Sequence, residues 1–115
     1  MSVVIKDFGY RILYKIENGS IKDFYGRKLY EISRGVVKKF SGEIVYRIEG
    51  NVVKDFGYRI LYKLDNNRIK DFYGKVVYTI DRDAIKDFYG RILYRIDGYI
   101  DEEEILALVA TGLVK

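Results

Sequence analysis

A tandem repeat constrains this chain more than any other feature: residues 5–100 divide without gaps into six units of 16 residues. The units start at residues 5, 21, 37, 53, 69 and 85, and the places within a unit are numbered 1 to 16 from these starts. Such self-similarity is typical of a fold in which copies of one small structural unit pack side by side. Place 2 is always Lys, and place 12 is always Ile or Leu. Two aromatic columns are also invariant: Phe8, Phe24, Phe40, Phe56, Phe72 and Phe88 at place 4, and Tyr14, Tyr30, Tyr46, Tyr62, Tyr78 and Tyr94 at place 10.

Each unit predicts one β-hairpin. Two β-rich runs, such as 21–23 and 28–32, are separated by turn signals. Sixteen residues are too few for a helical hairpin or for a parallel crossover. Both faces of the predicted strands carry apolar side chains, and closure of a sheet removes exposed edges. The prediction is therefore an all-β fold, with six tandem hairpins curled into a closed or wrapped antiparallel sheet.

The first turn of each hairpin has a specific sequence. Asp23-Phe24-Tyr25-Gly26 is typical of a type I turn followed by a left-handed glycine, which makes a three-residue loop with a glycine bulge. In the first and fourth units the order is Asp-Phe-Gly-Tyr instead, and this predicts a type II turn with the glycine at its third position. The same two units share the string FGYRILYK, which indicates a duplicated block, residues 5–52 and 53–100.

Charges at places 3 and 7 predict an ion pair across each loop. Five units have Asp at place 3 and Arg or Lys at place 7, such as Asp23 and Arg27, whereas the third unit has Lys39 and Glu43. A double reversal of sign is expected of two side chains that face each other, although drift in a diverged unit would also produce it. The register that follows places 1, 3, 7 and 9 on one face and 2, 4, 8, 10 and 12 on the other. It predicts that the Phe and Tyr columns are mostly buried structural columns.

The C-terminal tail differs from the repeats. Residues 1–100 form the predicted repeat domain, and residues 101–115 form a helical tail with a capping box at Asp101–Glu104 and a C-capping Gly112. Apolar residues occupy much of the circumference of this helix, so it is expected to dock on the body or on a partner subunit. Self-association is expected, with a homodimer favoured; the alternative is a monomer whose tail closes one end of a barrel.

The missing residue types exclude much chemistry. The chain has no Cys and no His, which removes disulfides, thiolate metal sites, cysteine nucleophiles and the commonest general base. The repeated Asp of place 3 is expected to cap turn amides, and no P-loop or dinucleotide fingerprint is present. We therefore expect no catalytic residue, no cofactor and no metal, and a non-enzymatic protein.

Charge and tyrosine content leave two kinds of binding open. The repeats carry 20 Lys or Arg against 13 Asp or Glu, and the chain has 12 Tyr. Basic and acidic residues interleave, which favours a structural or protein-interaction repeat protein, with nucleic acid the less favoured partner. The alternative is a binding module for nucleic acid or polysaccharide that uses an exposed Tyr/Lys surface. The chain has no apolar run long enough for a membrane helix, and residues 1–7 lack a signal-peptide core, so we expect a cytoplasmic protein without a membrane partner.

The repeat unit also resembles a known kind of protein. The string from Ile21 to Ile32, repeated with small changes from Ile85 to Ile96, resembles the units of small bacterial tandem-hairpin proteins of the four-fold β-flower kind. Those units read I-x-D-x-x-G-x-x-[IV]-G-x-I. The resemblance covers residues 5–100 and implies a hairpin-repeat fold without an assigned function. Here Tyr stands where that unit often has Gly, and there are six units, so a four-fold count does not carry over.

Overall fold

The computed structural model describes residues 2–114, in which twelve β-strands are followed by one α-helix. Each hairpin has a first strand of four residues, six in β1, and a second strand of six residues. The elements are β1 (Ser2–Asp7), β2 (Ile12–Glu17), β3 (Ser20–Asp23), β4 (Lys28–Ser33), β5 (Val36–Lys39), β6 (Ile44–Glu49), β7 (Val52–Asp55), β8 (Ile60–Asp65), β9 (Arg68–Asp71), β10 (Val76–Asp81), β11 (Ala84–Asp87), β12 (Ile92–Asp97) and α1 (Glu102–Ala110).

The strands form one closed antiparallel barrel. Every strand pairs with its neighbours in sequence, and β1 pairs with β12, so that Ile5 lies opposite Ile96 and the ring has no edge. The predicted all-β hairpin fold is confirmed. The Cα atoms span 35 × 33 × 20 Å, which makes the molecule a disc. Because six equivalent hairpins surround the axis, units three apart lie on opposite sides of it.

A β-bulge at place 9 makes the predicted face assignment wrong. In the second hairpin Lys22 lies opposite Lys28, but Ile21 lies opposite Tyr30, so Leu29 is the extra residue. A bulge of one residue turns every later side chain of that strand to the other face. Places 1, 3, 10 and 12 therefore face the barrel interior, and places 2, 8 and 11 face outwards.

The interior is built from the aliphatic residues of places 1 and 12. These places lie directly opposite each other where one unit follows another, as Ile16 does with Ile21. The place 1 residues are fully buried in all six units, and five of the six place 12 residues are buried. The tyrosines of place 10 are half-buried and pack on this core from the same inner face.

The prediction that the Phe column is buried is wrong. All six phenylalanines are between 62% and 75% exposed. Place 4 lies in the three-residue loop rather than on a strand, so its side chain points beyond the end of the barrel. All six of these loops lie at the same end, because antiparallel hairpins alternate their connections between the two ends.

The type II turn predicted for the first and fourth loops is also wrong. Gly9 and Gly57 do not have positive φ; instead Tyr10 and Tyr58 do, at 70° and 67°. The Tyr10 amide donates to the Asp7 carbonyl at 3.0 Å, just as the Gly26 amide donates to the Asp23 carbonyl at 3.0 Å. The loops thus share one backbone geometry, and in two of them a tyrosine takes the position that glycine takes elsewhere.

Helix α1 closes the barrel interior at the end opposite the Phe loops. Its capping box is present: the Glu104 amide donates to Asp101 Oδ1 at 2.8 Å, and the Asp101 amide donates to Glu104 Oε1 at 3.0 Å. Its residues 105–109 are all buried, and they contact β4, β6, β7 and β8. Gly112, with a φ of 78°, follows the helix as predicted.

No helix within residues 2–114 combines the length and the apolar character that crossing a bilayer requires.

Candidate interaction surface: the aromatic rim

Eleven exposed aromatic side chains surround one end of the barrel, and we call this set the aromatic rim. Each of the six three-residue loops contributes its Phe, and five of the loops add a Tyr. Their exposed fractions range from 59% to 88%. The rim consists of Phe8, Tyr10, Phe24, Tyr25, Phe40, Phe56, Tyr58, Phe72, Tyr73, Phe88 and Tyr89.

A carboxylate inside each consensus loop holds the aromatic pair in place. Asp23 Oδ1 accepts hydrogen bonds from the amides of Tyr25 and Arg27, both at 2.9 Å. The same pair of bonds recurs at Asp7, Asp55, Asp71 and Asp87. Because these bonds satisfy the turn amides, the adjacent Phe and Tyr are held on rigid loops without being packed into the core.

The place 3 and place 7 side chains form the predicted ion pair in five of the six loops, whereas Asp71 and Lys75 of the fifth loop form none within residues 2–114. Arg27 Nε lies 2.8 Å from Asp23 Oδ2, and Lys39 Nζ lies 3.7 Å from Glu43 Oε1. The two partners of the consensus pair differ in exposure: the Asp23 side chain is 14% exposed and that of Arg27 is 75% exposed. The rim therefore presents cations outwards while their carboxylates face the loops.

Hydrogen bonding holds the pKa of three loop carboxyls below its ordinary value. The backbone amide of the place 7 arginine is the main cause that lowers the pKa of Asp7, Asp55 and Asp87, and the guanidinium of the same arginine lowers it further; slight burial opposes both. Protonation of the Asp would weaken these hydrogen bonds, because a neutral carboxyl oxygen is a poorer acceptor than a carboxylate oxygen.

Rings and cations of the rim contact each other within a loop. The Phe24 and Tyr25 rings meet edge to face with centroids 5.3 Å apart, and the fifth and sixth loops repeat this arrangement. The Arg27 guanidinium lies 5.5 Å from the centre of the Tyr25 ring. These contacts stabilise the side-chain arrangement of the rim by about 0.5–1 kcal/mol each.

The third loop breaks the pattern of the rim. Ser41 replaces the tyrosine, and Glu43 is the one acidic residue at place 7. A groove of about 610 Å³ separates this loop from the fourth, and Glu43, Tyr46, Phe56 and Arg59 are among its lining residues. Lys39 lines the same groove and pairs with Glu43, so the third loop presents an ion pair of reversed sign, with the carboxylate as its more exposed member.

The tyrosines of place 10 lie on the inner face of the barrel, and Tyr46 among them also lines the groove between the third and fourth rim loops. Burial, and then the proximity of neighbouring tyrosines, raises the pKa of Tyr14, Tyr46 and Tyr78. Their contacts with the aliphatic core assign them a structural part.

The structure brings together the residues that the sequence predicts for the loops, but it places the Phe column in an exposed surface rather than in the core. The sequence-based prediction missed the rim, although a Phe-Tyr pair between Asp and Gly already placed the rings in a turn.

Within residues 2–114 no group of three acidic side chains has the arrangement of a metal site. Comparison of the chain with family models, curated proteins and solved structures finds no match.

Proposed function

We propose that this protein is a non-enzymatic interaction module that self-associates through the aromatic rim. The observation that carries the proposal is the ring of eleven exposed aromatic side chains at one end of the barrel. Large exposed apolar patches on folded domains mark interaction sites, and Phe, Tyr and Arg are enriched in protein interfaces.

The size of the rim suits a pair of copies. The end of a disc of 35 × 33 Å has a projected area of about 900 Å², and a standard interface buries roughly 800 Å² on each partner. Two rims face to face would thus bury enough surface for a specific dimer.

Charge complementarity supports a second copy as the occupant. Five loops present Arg or Lys at place 7, and the third presents Glu43, whose side chain is 67% exposed and lines an open groove. In an isologous dimer each contact occurs twice, so Glu43 of each copy would meet a loop cation of the other. One acid per rim is enough to set the register of the pair.

We expect the tail to contribute little to this interface. The apolar residues of α1 that suggested a tail-mediated dimer are buried within the chain itself, with Leu106, Ala107 and Leu108 fully inaccessible. The homodimer stays a prediction, and the rim replaces the tail as its expected surface.

The third loop offers a matched test. Lys39→Asp combined with Glu43→Arg gives this loop the Asp–Arg ion pair of the first, second, fourth and sixth loops, so the turn keeps its internal contact while the rim loses its acid. We expect the dissociation constant of the dimer, measured by light scattering over a concentration series, to rise at least ten-fold.

A second variant tests the aromatic part. Tyr25→Ser and Tyr73→Ser copy the residue that the third loop already carries at this position, so the turn is preserved. Weaker association is expected here too. A wild-type chain that stays monomeric at high micromolar concentration, or variants that associate as well as it does, would refute self-association through the rim.

A further inference from the structure

Two groups of four cations lie on opposite sides of the outer barrel wall. They lie at places 2 and 11, which face outwards. Each member of one group lies 48 residues from its counterpart in the other group, which is the length of the duplicated block. We call them the basic patches. The first consists of Lys6, Lys15, Lys22 and Arg95 on β1, β2, β3 and β12; the second consists of Lys54, Lys63, Lys70 and Arg47 on β7, β8, β9 and β6.

Each basic patch places like charges directly opposite each other. Lys15 pairs with Lys22, and Lys6 pairs with Arg95, in adjacent strands. The second patch repeats this register. Such cross-strand pairs destabilise a sheet in the absence of a counter-charge. The other two strand pairs, β4–β5 and β10–β11, have no such like-charge pair, because Glu31 lies opposite Lys38 and Thr79 lies opposite Lys86.

Acidic neighbours neutralise only half of each patch. Asp97 lies 3.4 Å from Lys6, and Glu17 lies 3.5 Å from Lys22. Lys15 and its counterpart Lys63 are exposed and form no ion pair within residues 2–114. Each patch therefore keeps a net charge of +2.

A strained tyrosine lies beside each patch. Tyr10 and Tyr58 have positive φ, which is unusual for a bulky residue and costs about 1 kcal/mol. The Arg95 guanidinium lies 4.5 Å from the centre of the Tyr10 ring, and that of Arg47 lies 5.4 Å from the Tyr58 ring. Tyr10 is still 63% exposed, so the face away from the arginine is open. Strain that occurs at both equivalent positions points to a use for the ring.

The wall also has room for a ligand beside the cations. A groove of about 390 Å³ is lined by Lys15, Lys22, Phe24 and Tyr25, and also by Glu17 and Asp23, whose carboxylates pair with Lys22 and Arg27. An anion at these cations would supply the counter-charge that Lys15 and Lys63 lack within residues 2–114.

We propose that the two basic patches bind single-stranded nucleic acid, with phosphates at the lysines and one base stacked on the open face of Tyr10 or Tyr58. Stacking on an aromatic ring beside a cationic track is how proteins hold single strands without reading their sequence. A duplex offers no unstacked base to these rings. The lysines lie on the outer wall, but Tyr10 and Tyr58 also belong to the aromatic rim, so self-association through the rim would compete with base stacking and not with the lysine contacts.

The two loop types allow a test that conserves composition. Gly9→Tyr with Tyr10→Gly, and Gly57→Tyr with Tyr58→Gly, give the first and fourth loops the Phe-Tyr-Gly order of the second, fifth and sixth. The variant keeps every aromatic residue and removes two strained residues, so it should fold at least as well as the wild type. We expect its affinity for fluorescein-labelled oligothymidylate, measured by anisotropy at low salt, to fall about five-fold or more for each ring moved.

Charge variants test the phosphate contacts. Lys15→Gln and Lys63→Gln should lower the salt slope of binding by about 0.7 for each lysine that contacts a phosphate. Lys38→Gln, in a column where Glu31 lies opposite, is the matched control and should leave the slope unchanged. Absence of salt-dependent binding by the wild type would overturn the proposal. The proposal would also be overturned if the protein bound heparin more tightly than oligothymidylate and the loop exchange left both affinities unchanged. A sulfated polysaccharide needs the cations but not the tyrosine ring.

Discussion

The sealing of the barrel by α1 makes a quantitative prediction for Leu106→Ala. Leu106 is fully buried in the helix, and alanine is an equally good helix former, so the change tests packing rather than helix formation. Removing about three buried carbons costs roughly 2.4 kcal/mol of transfer free energy, at ~0.8 kcal/mol each. A residual cavity of about 60 Å³ adds roughly 1.4 kcal/mol at ~24 cal/mol per Å³. The expected loss in free energy of unfolding is therefore about 4 kcal/mol.

Urea denaturation measures this loss as a lower midpoint at an unchanged m-value. Leu113→Ala is the control, because it makes the same chemical change at a half-buried position just after the helix, and it should cost clearly less. A loss below about 1 kcal/mol for Leu106→Ala, or equal losses for the two variants, would refute the placement of the helix in the core.

Three further predictions follow from the fold. Tyr62→Ala should destabilise the chain by about 3 kcal/mol, which is the low end for aromatic truncations, because the ring is half-buried. Phe56→Ala should cost less than about 1 kcal/mol in the same denaturation assay, because the Phe56 ring is exposed. Gly19→Ala should be far more harmful to the thermal midpoint than Gly26→Ala: both have positive φ, but only at Gly19 would the new Cβ lie 2.5 Å from a carbonyl oxygen, that of Ile32. Finally, the pKa of Asp87 is lowered in the folded state, so its stabilising contribution is complete above the unfolded pKa near 3.8 and is lost as the pH falls through the lower folded value. Asp87→Asn should therefore flatten the dependence of stability on pH in that acid range. An unchanged profile would contradict the loop contact.

Much of the fold can be predicted from the repeat. The six hairpins, the loop ion pairs and the helix from Glu102 to Ala110 all follow from local signals, namely turn residues, paired charges and a capping box. Closure of the ring was expected from the need to remove edges. Each of these features depends on a few residues that are close together in the sequence.

The faces could not be predicted, because one bulged residue reverses them. Leu29 and Lys28 both fit a strand, and only the pairing of Ile21 with Tyr30 shows which is the extra residue. The wrong face assignment led to the prediction that the Phe column is buried. Phe24 in fact lies between the turn-forming Asp23 and Gly26, and the loop holds it outside the core.

The candidate site was hidden for the same reason. The sequence shows that Phe and Tyr recur, but whether six loops gather at one end depends on the alternation of hairpin connections around a closed ring. The stacking of Tyr10 on Arg95 was beyond prediction too, since these residues are 85 positions apart and meet only where β12 closes on β1.

An amide NMR dilution series tests the proposed use of the rim most directly, because glycines report on each end of the barrel separately. Gly26, Gly42, Gly74 and Gly90 lie in the rim loops, and Gly19, Gly35 and Gly50 lie in the turns at the opposite end. We predict that the first group shifts as the concentration rises from micromolar to millimolar while the second group stays in place. Shifts confined to the second group, or no shift in either, would contradict self-association through the aromatic rim.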